Sequence, residues 1–390
     1  MHKILTMNQI SPKGLDRFSR DKYEVASEIS TPDAIMVRST PIKPEDLPSS
    51  LLAIARAGAG VDKICVNDCT SRGIPVFNTP GANANSVKEL VMLSLLLASR
   101  GVIRGIRFLD RLARESSDPT EITRVVEKEK KNFAGSEIIN NTLGIVGLGA
   151  IGSKVAEMAM GMGMNVLGYD PSISVESAWR LPNSVERIEN LPSLLAKSDF
   201  ITLHIPMLES TKYMINEESL QFVKKGARLL NFSREGIVEP NAVVKALDAG
   251  LLSRFITDFP HPVLMGREDI ILMPHIGAST KEAEENCATM AADQLIDFIE
   301  NGNIINSVNF PRLILERSSD HRIAFSNKNV PNMLGQVLPI LAEHHINVLD
   351  MLNKSRGEIA YSILDLDKSI TPDTADRIKS IDGIYSLRSL

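Results

Sequence analysis

Asn141-Thr-Leu-Gly-Ile-Val-Gly-Leu-Gly-Ala-Ile-Gly-Ser-Lys-Val155 decides the fold of this chain, because an apolar run enters the turn Gly147-x-Gly149-x-x-Gly152 and leaves it as a helix-forming segment. Gly147 permits the tight turn. Gly149 lets backbone N–H groups approach a pyrophosphate at a helix N-terminus, and Gly152 lets that helix pack closely on the strand. A second apolar run, Met164-Asn-Val-Leu-Gly-Tyr169, ends at Asp170, eighteen residues after Gly152. A carboxylate there binds the adenine ribose hydroxyls of NAD and repels the 2′-phosphate of NADP. The expected element is the first half of a doubly wound parallel sheet, with NAD as cofactor.

The fingerprint starts only at position 147 of 390, so another unit is built first. That length predicts two or three domains, and 43% hydrophobic with 23% charged residues is an ordinary globular composition. A formal charge of −5 offers no general basic surface for nucleic acid or anionic lipid, which directs attention to small ligands. The start, Met1-His-Lys-Ile-Leu-Thr-Met-Asn8, lacks a secretory pattern and no apolar run reaches the roughly 18 residues that cross a bilayer, so a cytoplasmic location is expected. Cys65, Cys69 and Cys287 are too few for a disulfide framework and complete no zinc spacing; free thiols and no metal are expected.

Up to about residue 97 short apolar runs such as Ala34-Ile-Met-Val-Arg38 and Leu51-Leu-Ala-Ile-Ala-Arg56 alternate with turn-rich breaks, as in an α/β domain. Ser86 is a candidate cap for a long apolar helix from Val87 to Arg100, and Glu127-Lys-Glu-Lys-Lys131 reads as a solvated face. After Asp170 the runs Asp199–Ile205, Ala227–Phe232, Phe255–Asp258 and Asp269–Met273 fit later strands of the same sheet. Ligands bind at the carboxyl ends of such strands, and His204, Asn231, Asp258 and His275 all fall there. From residue 321 the order strand, helix, strand, strand, helix, strand is the ferredoxin-like βαββαβ arrangement, with strands Asn347–Leu352 and Ile359–Leu366 in the middle.

Hydride transfer to NAD needs a group that takes the hydroxyl proton and a cation that fixes a neighbouring carboxylate. Asn231-Phe-Ser-Arg234 and Met273-Pro-His275 supply one of each after strands of the nucleotide sheet.

These segments, with Ala57-Gly-Ala-Gly-Val-Asp62, Val76-Phe-Asn-Thr-Pro-Gly-Ala-Asn-Ala-Asn-Ser-Val-Lys-Glu-Leu90, His204-Ile-Pro206 and Pro274-His-Ile-Gly-Ala-Ser-Thr-Lys-Glu-Ala283, resemble the D-isomer-specific 2-hydroxyacid dehydrogenases nearly end to end. The resemblance implies an NAD-binding domain (98–275) inserted in a flavodoxin-like substrate domain (1–97 and 276–317). It implies Arg234 as the carboxylate and 2-oxo anchor and His275 as proton acceptor. It places Ala150 and Ile151 over the pyrophosphate, Thr79, Ile205, Phe232 and Ser233 along the cofactor, Asp258 at the nicotinamide carboxamide, and Ala59 and Gly60 at the substrate carboxylate. For a substrate phosphate, Arg38, Ser39 and Arg56 are the candidate ligands.

The implied reaction is oxidation of 3-phospho-D-glycerate to 3-phosphooxypyruvate, the first step of L-serine synthesis. The alternatives are another D-2-hydroxy acid, of the hydroxypyruvate or 2-hydroxyglutarate type, and an NAD(H) sensor. The family's catalytic glutamate, five residues after the counterpart of Asp258, is missing: the register reads Asp258-Phe-Pro-His-Pro-Val263. Either His275 and Arg234 work as a two-residue core, or Asp258, Glu268 or Asp269 serves as a relocated acid. Residues 318–390 resemble an ACT domain, which implies L-serine binding through Asn327, Asn329 and Asn347, and the family implies a homodimer or homotetramer.

Overall fold

The computed structural model describes residues 1–390, the side chain of Glu176 left aside. The chain divides into two compact units, Met1–Asn83 with Thr280–Leu390, and Ala84–Ser279.

The first unit carries a five-stranded parallel sheet, β1 (His2–Met7), β2 (Tyr23–Ala26), β3 (Ala34–Val37), β4 (Ala53–Arg56) and β5 (Val76–Phe77), in the order β2-β1-β3-β4-β5. This is the flavodoxin-like order. Every residue of β3 is buried, as expected of a parallel strand covered on both faces. One cover is the helix Lys281–Asn301, capped at its start by the Thr280 side chain, which accepts from the Ala283 N–H, and stopped at Gly302 with φ +75°. Its Ala288, Ala291, Ala292 and Leu295 join Ile4, Ala34, Met36, Ala53 and Ala55 in one core. The small side chains let helix and sheet approach closely.

The second unit holds seven parallel strands: β6 (Thr142–Val146), β7 (Asn165–Tyr169), β8 (Glu186–Arg187), β9 (Phe200–Leu203), β10 (Ala227–Asn231), β11 (Leu252–Thr257) and β12 (Ile270–Leu272). Their order, β12-β11-β10-β9-β6-β7-β8, reverses direction between β6 and β9. The helix Ala84–Ser99 belongs to this unit, because its Val87, Val91, Leu95 and Ala98 pack on Val155, Ala156 and Ala159 of the helix after the fingerprint. Ser86 does not cap that helix. It lies inside the first turn and its hydroxyl donates to the Gly277 carbonyl at 2.8 Å.

The C-terminal part of the first unit is a four-stranded antiparallel sheet, β13 (His321–Lys328), β14 (Val348–Arg356), β15 (Ile359–Leu366) and β16 (Ile384–Ser389), in the order β14-β15-β13-β16. With the helices Met333–Glu343 and Pro372–Lys379 it completes the βαββαβ pattern. Alternation divides its side chains: Ile323, Phe325 and Leu364 face the helices' Val337, Leu341 and Ile378, whereas Ala324, Tyr361 and Ile363 join the core of the five-stranded sheet.

Arg322 and Asp365, direct cross-strand neighbours, are both fully buried and joined by two hydrogen bonds of 2.5 and 2.8 Å. Arg322 also donates to the carbonyls of Asn301, Leu315 and Glu316, which ties the sheet to the end of the helix Lys281–Asn301. Among the described residues no helix is long and apolar enough to cross a membrane, and no cluster of His, Cys, Asp or Glu is arranged to hold a metal. All three cysteines are free.

Burial alone would raise the Asp365 carboxyl, but the hydrogen bonds from Arg322 and Ser318 hold it below the ordinary range. Its contribution to stability is therefore complete above the unfolded value of about 3.9 and is lost as pH falls through the folded value. Arg322→Met should cost about 3–5 kcal/mol in urea unfolding by leaving a buried carboxylate alone, and Arg322→Met/Asp365→Leu should recover most of it and lose the part of the acid dependence that Asp365 carries. Equal stability of the single and double variants would contradict this.

Candidate active site

The fingerprint turn is built as its glycines require. Gly147 has φ +91°, and a Cβ there would lie 2.5 Å from the His204 carbonyl oxygen; a Cβ at Gly152 would overlap the Gly147 carbonyl oxygen. At Gly149, the N-cap of the helix Ala150–Gly161, a Cβ would meet nothing within 4 Å. That open face, at the positive end of a helix, is the shape a dinucleotide pyrophosphate fits. Ala150 and Ile151 form the first turn beside it, half-buried.

At the end of β7 the Asp170 carboxylate accepts from the Leu148 N–H (2.9 Å) and the Ser172 N–H (2.9 Å), which aims it at the turn with acceptor capacity left for hydroxyls.

Across the sheet, His204 directly follows β9. Burial pushes its imidazole down to about 3; Nε2 lies 3.0 Å from Thr202 Oγ1 and Nδ1 is buried without a partner. His204 is therefore a neutral group and not a proton donor at neutral pH. Ile205 follows it, half-buried. After β10 the amide of Asn231 closes a small loop, accepting from the Ser233 N–H at 3.1 Å and donating to the Arg234 carbonyl at 2.9 Å. Phe232 and Ser233 are buried inside it, and the Ser233 hydroxyl donates to the Leu203 carbonyl. The loop leaves Arg234 in extended backbone, its guanidinium donating to the Ser233 carbonyl at 2.6 Å.

Asp258 follows β11 and His275 follows β12. Asp258 is 1% exposed; Oδ2 accepts from the Gly277 N–H at 2.9 Å, and Oδ1 is buried with no partner. Burial raises its carboxyl, against the pull of the Gly277 N–H, His275 and Arg234. The orphaned Oδ1 is an acceptor that an amide donor such as a carboxamide would satisfy. The His275 imidazole is exposed and makes no hydrogen bond or ion pair among the described residues. It rests instead against the Phe259 ring, with centroids 5.0 Å apart and planes at 61°.

Two of the three candidates for a relocated acid are excluded by topology. Glu268 and Asp269 precede β12 and His275 follows it, so strand β12 separates them. Asp269 is also held by Arg267 through hydrogen bonds of 2.9 and 2.8 Å, which lower its carboxyl. Asp258 remains as a nearby charge without a hydrogen bond to the imidazole.

In the first unit, Arg38 ends β3's loop paired to Glu284 at 2.5 Å, and the Ser39 and Thr40 N–H groups both donate to Asn8 Oδ1. Arg56 donates to the carbonyls of Arg38 (3.0 Å) and Gly60, so it braces the loops that carry Arg38, Ala59 and Gly60. Asn78 donates to the Ala59 carbonyl at 2.6 Å, and the Thr79 hydroxyl is buried without a hydrogen-bond partner. In the four-stranded sheet Asn327 is buried, its Nδ2 donating to the Lys328 carbonyl and its Oδ1 unpartnered. Asn329 donates to the Gly357 carbonyl, and the Asn347 N–H donates to Asp367.

Sequence reasoning missed Phe259 and Glu284. Phe259 stood out only as an aromatic directly after the strand-end Asp258, and Glu284 as an acid in the first turn of the helix that follows His275.

The family model for "D-isomer specific 2-hydroxyacid dehydrogenase, NAD binding domain" matches residues 101–277. A D-3-phosphoglycerate dehydrogenase of Dictyostelium discoideum is 32% identical over 416 residues, covering 100% of this chain and 97% of that protein. One from Methanocaldococcus jannaschii is 31% identical over 89% of this chain, but the chain spans only 64% of its length. Among solved structures, an NAD+-bound 3-phosphoglycerate dehydrogenase of Entamoeba histolytica is similar with a TM-score of 0.63 at 25% identity, over 80% of this chain and 99% of that one. With a relative matched along almost its whole length and a nucleotide unit built around the fingerprint, the chain belongs to the D-isomer specific 2-hydroxyacid dehydrogenases.

Proposed function

We propose that this chain oxidises 3-phospho-D-glycerate to 3-phosphooxypyruvate with NAD, the step that opens L-serine synthesis. One observation carries the reading. Arg234 and His275 stand at the carboxyl edge of the same parallel sheet whose first turn carries the fingerprint. The printed names of the relatives support the substrate.

NAD, when bound, supplies the hydride acceptor. His275 takes the hydroxyl proton, and Arg234 binds the substrate carboxylate and the forming 2-oxo group. Gly149, Ala150 and Ile151 hold the pyrophosphate, Asp170 the adenine ribose, and Asp258 Oδ1 accepts from the carboxamide. Ile205, Phe232, Ser233 and Thr79 line the cofactor. Ala59 and Gly60 present backbone N–H groups to the carboxylate. Arg38, with Ser39, takes the substrate phosphate, which must displace Glu284; Arg56 acts by bracing that loop.

The unpartnered Asn327 Oδ1 supports L-serine binding with Asn329 and Asn347. A homo-oligomer is supported by the exposed Leu93, Leu96, Val102, Ile106 and Leu109, an apolar patch on two consecutive helices. A cytoplasmic location accords with the cytosolic chemistry of the substrate.

Steady-state rates of NAD reduction on a panel of D-2-hydroxy acids test the substrate. We expect 3-phosphoglycerate to exceed glycerate and 2-hydroxyglutarate in kcat/KM, His275→Gln to lower kcat roughly 10²–10⁴-fold, and Arg38→Ala to erase roughly ten- to hundred-fold of the preference for the phosphorylated acid. A higher kcat/KM on an unphosphorylated acid would overturn the assignment. The cofactor assignment has its own check: Asp170→Ser should bring NADP closer to NAD by about tenfold in kcat/KM, and an unchanged ratio would remove Asp170 from the ribose site. Added L-serine should inhibit the wild type and not Asn347→Ala; inhibition identical in both, or absent from the wild type, would refute the effector assignment.

A further inference from the structure

We propose that Phe259 is a positioning residue for the proton-transfer step: its ring holds the His275 imidazole in the working orientation, without a carboxylate partner. This rests on reading His275 as the proton acceptor.

A proton acceptor must present one nitrogen along one direction, yet the terminal torsion of a histidine is broad and twofold. The common remedy is a hydrogen-bond acceptor on the second ring nitrogen. His275 has none. The carboxylate that senses its charge is Asp258, which also senses Arg234, and neither is bonded to the imidazole: Asp258 Oδ2 is committed to the Gly277 N–H and Arg234 to the Ser233 carbonyl. The contact the ring does make is with Phe259, at 5.0 Å and 61°, inside the range of favourable tilted aromatic pairs.

Phe259 can serve because it is itself fixed. It is 9% exposed, and its N–H donates to Thr257 Oγ1 at 3.2 Å. The Thr257 hydroxyl donates in turn to the Asn231 carbonyl at 2.8 Å, so the backbone that carries the ring is tied to the β10–β11 strand pair. Asp258 meanwhile pins the backbone of the histidine loop at Gly277. Two consecutive residues thus hold the loop and its ring, one by a hydrogen bond and the other by an aromatic contact. Both imidazole nitrogens stay free, one for the substrate proton and the other for solvent, to which the exposed ring is open.

The test uses Phe259→Leu, close in volume, and Phe259→Tyr, which keeps the ring. Proton NMR of the full chain, with the His275 ring C–H resonances assigned through His275→Gln, reads the contact directly. Steady-state kinetics on the best 2-hydroxy acid reads its use. We expect Phe259→Leu to move those resonances toward free-imidazole positions and to lower kcat about tenfold, with KM for NAD within about twofold. Phe259→Tyr should restore both.

Unmoved resonances in Phe259→Leu would overturn the contact. Moved resonances with unchanged kcat, or a loss carried by KM for NAD alone, would overturn the positioning role. If the wild type turns over no 2-hydroxy acid, the proton-acceptor reading fails and this role with it, a result distinct from an active wild type matched by Phe259→Leu.

Discussion

The close packing of Gly152 on Gly147 is the contact from which the nucleotide unit follows. No side chain fits between the helix and the turn, since a Cβ at Gly152 would meet the Gly147 carbonyl, and Gly147 itself abuts the His204 carbonyl across the sheet. The turn after β6 and the end of β9 are therefore locked together where the strand order reverses, and the other strand ends line up from that point. An alanine at Gly152 would force the helix off the turn, and one at Gly147 would force the turn off the end of β9. At Gly149 the structure leaves open space, which is where the proposed pyrophosphate site lies.

Electrostatics along that edge separate the polar groups by task. Asp258 is buried and His204 half-buried with its Nδ1 enclosed, and desolvation pushes each toward its neutral form: the imidazole down to about 3, the carboxyl upward. At neutral pH the His204 imidazole is therefore uncharged, and both residues keep an unsatisfied polar atom that a cofactor could bond. His275 differs in being exposed, with its ring nitrogens uncommitted. That accessibility is what the proposed role of His275 in proton transfer requires. In the first unit Arg56 donates to loop carbonyls, whereas the ion pair of Arg38 among the described residues is with Glu284, a partner that the proposed substrate phosphate would replace.

The elements legible in the sequence were those with a strong local signal. The glycine turn, Asp170 at a strand end, and the βαββαβ order including the strand Ile359–Leu366 all have such signals, because turn chemistry and apolar periodicity act over a few residues. Ser86 was misread because Ser before an apolar run looks like a cap, whereas its hydroxyl is claimed by Gly277, nearly two hundred residues away. The Phe259–His275 contact was illegible for the same kind of reason: it joins the ends of two different strands. Glu268 and Asp269 looked near enough to His275 in sequence, but a short strand between them puts them at its other end.

Tracing the hydride itself tests the central claim most directly. Wild type given C2-deuterated 3-phospho-D-glycerate and NAD should place deuterium on the nicotinamide ring, read by NMR, whereas His275→Gln should still bind NAD and lose the transfer. Deuterium left on the acid by a wild type that binds NAD, or transfer undiminished in His275→Gln, would contradict the account.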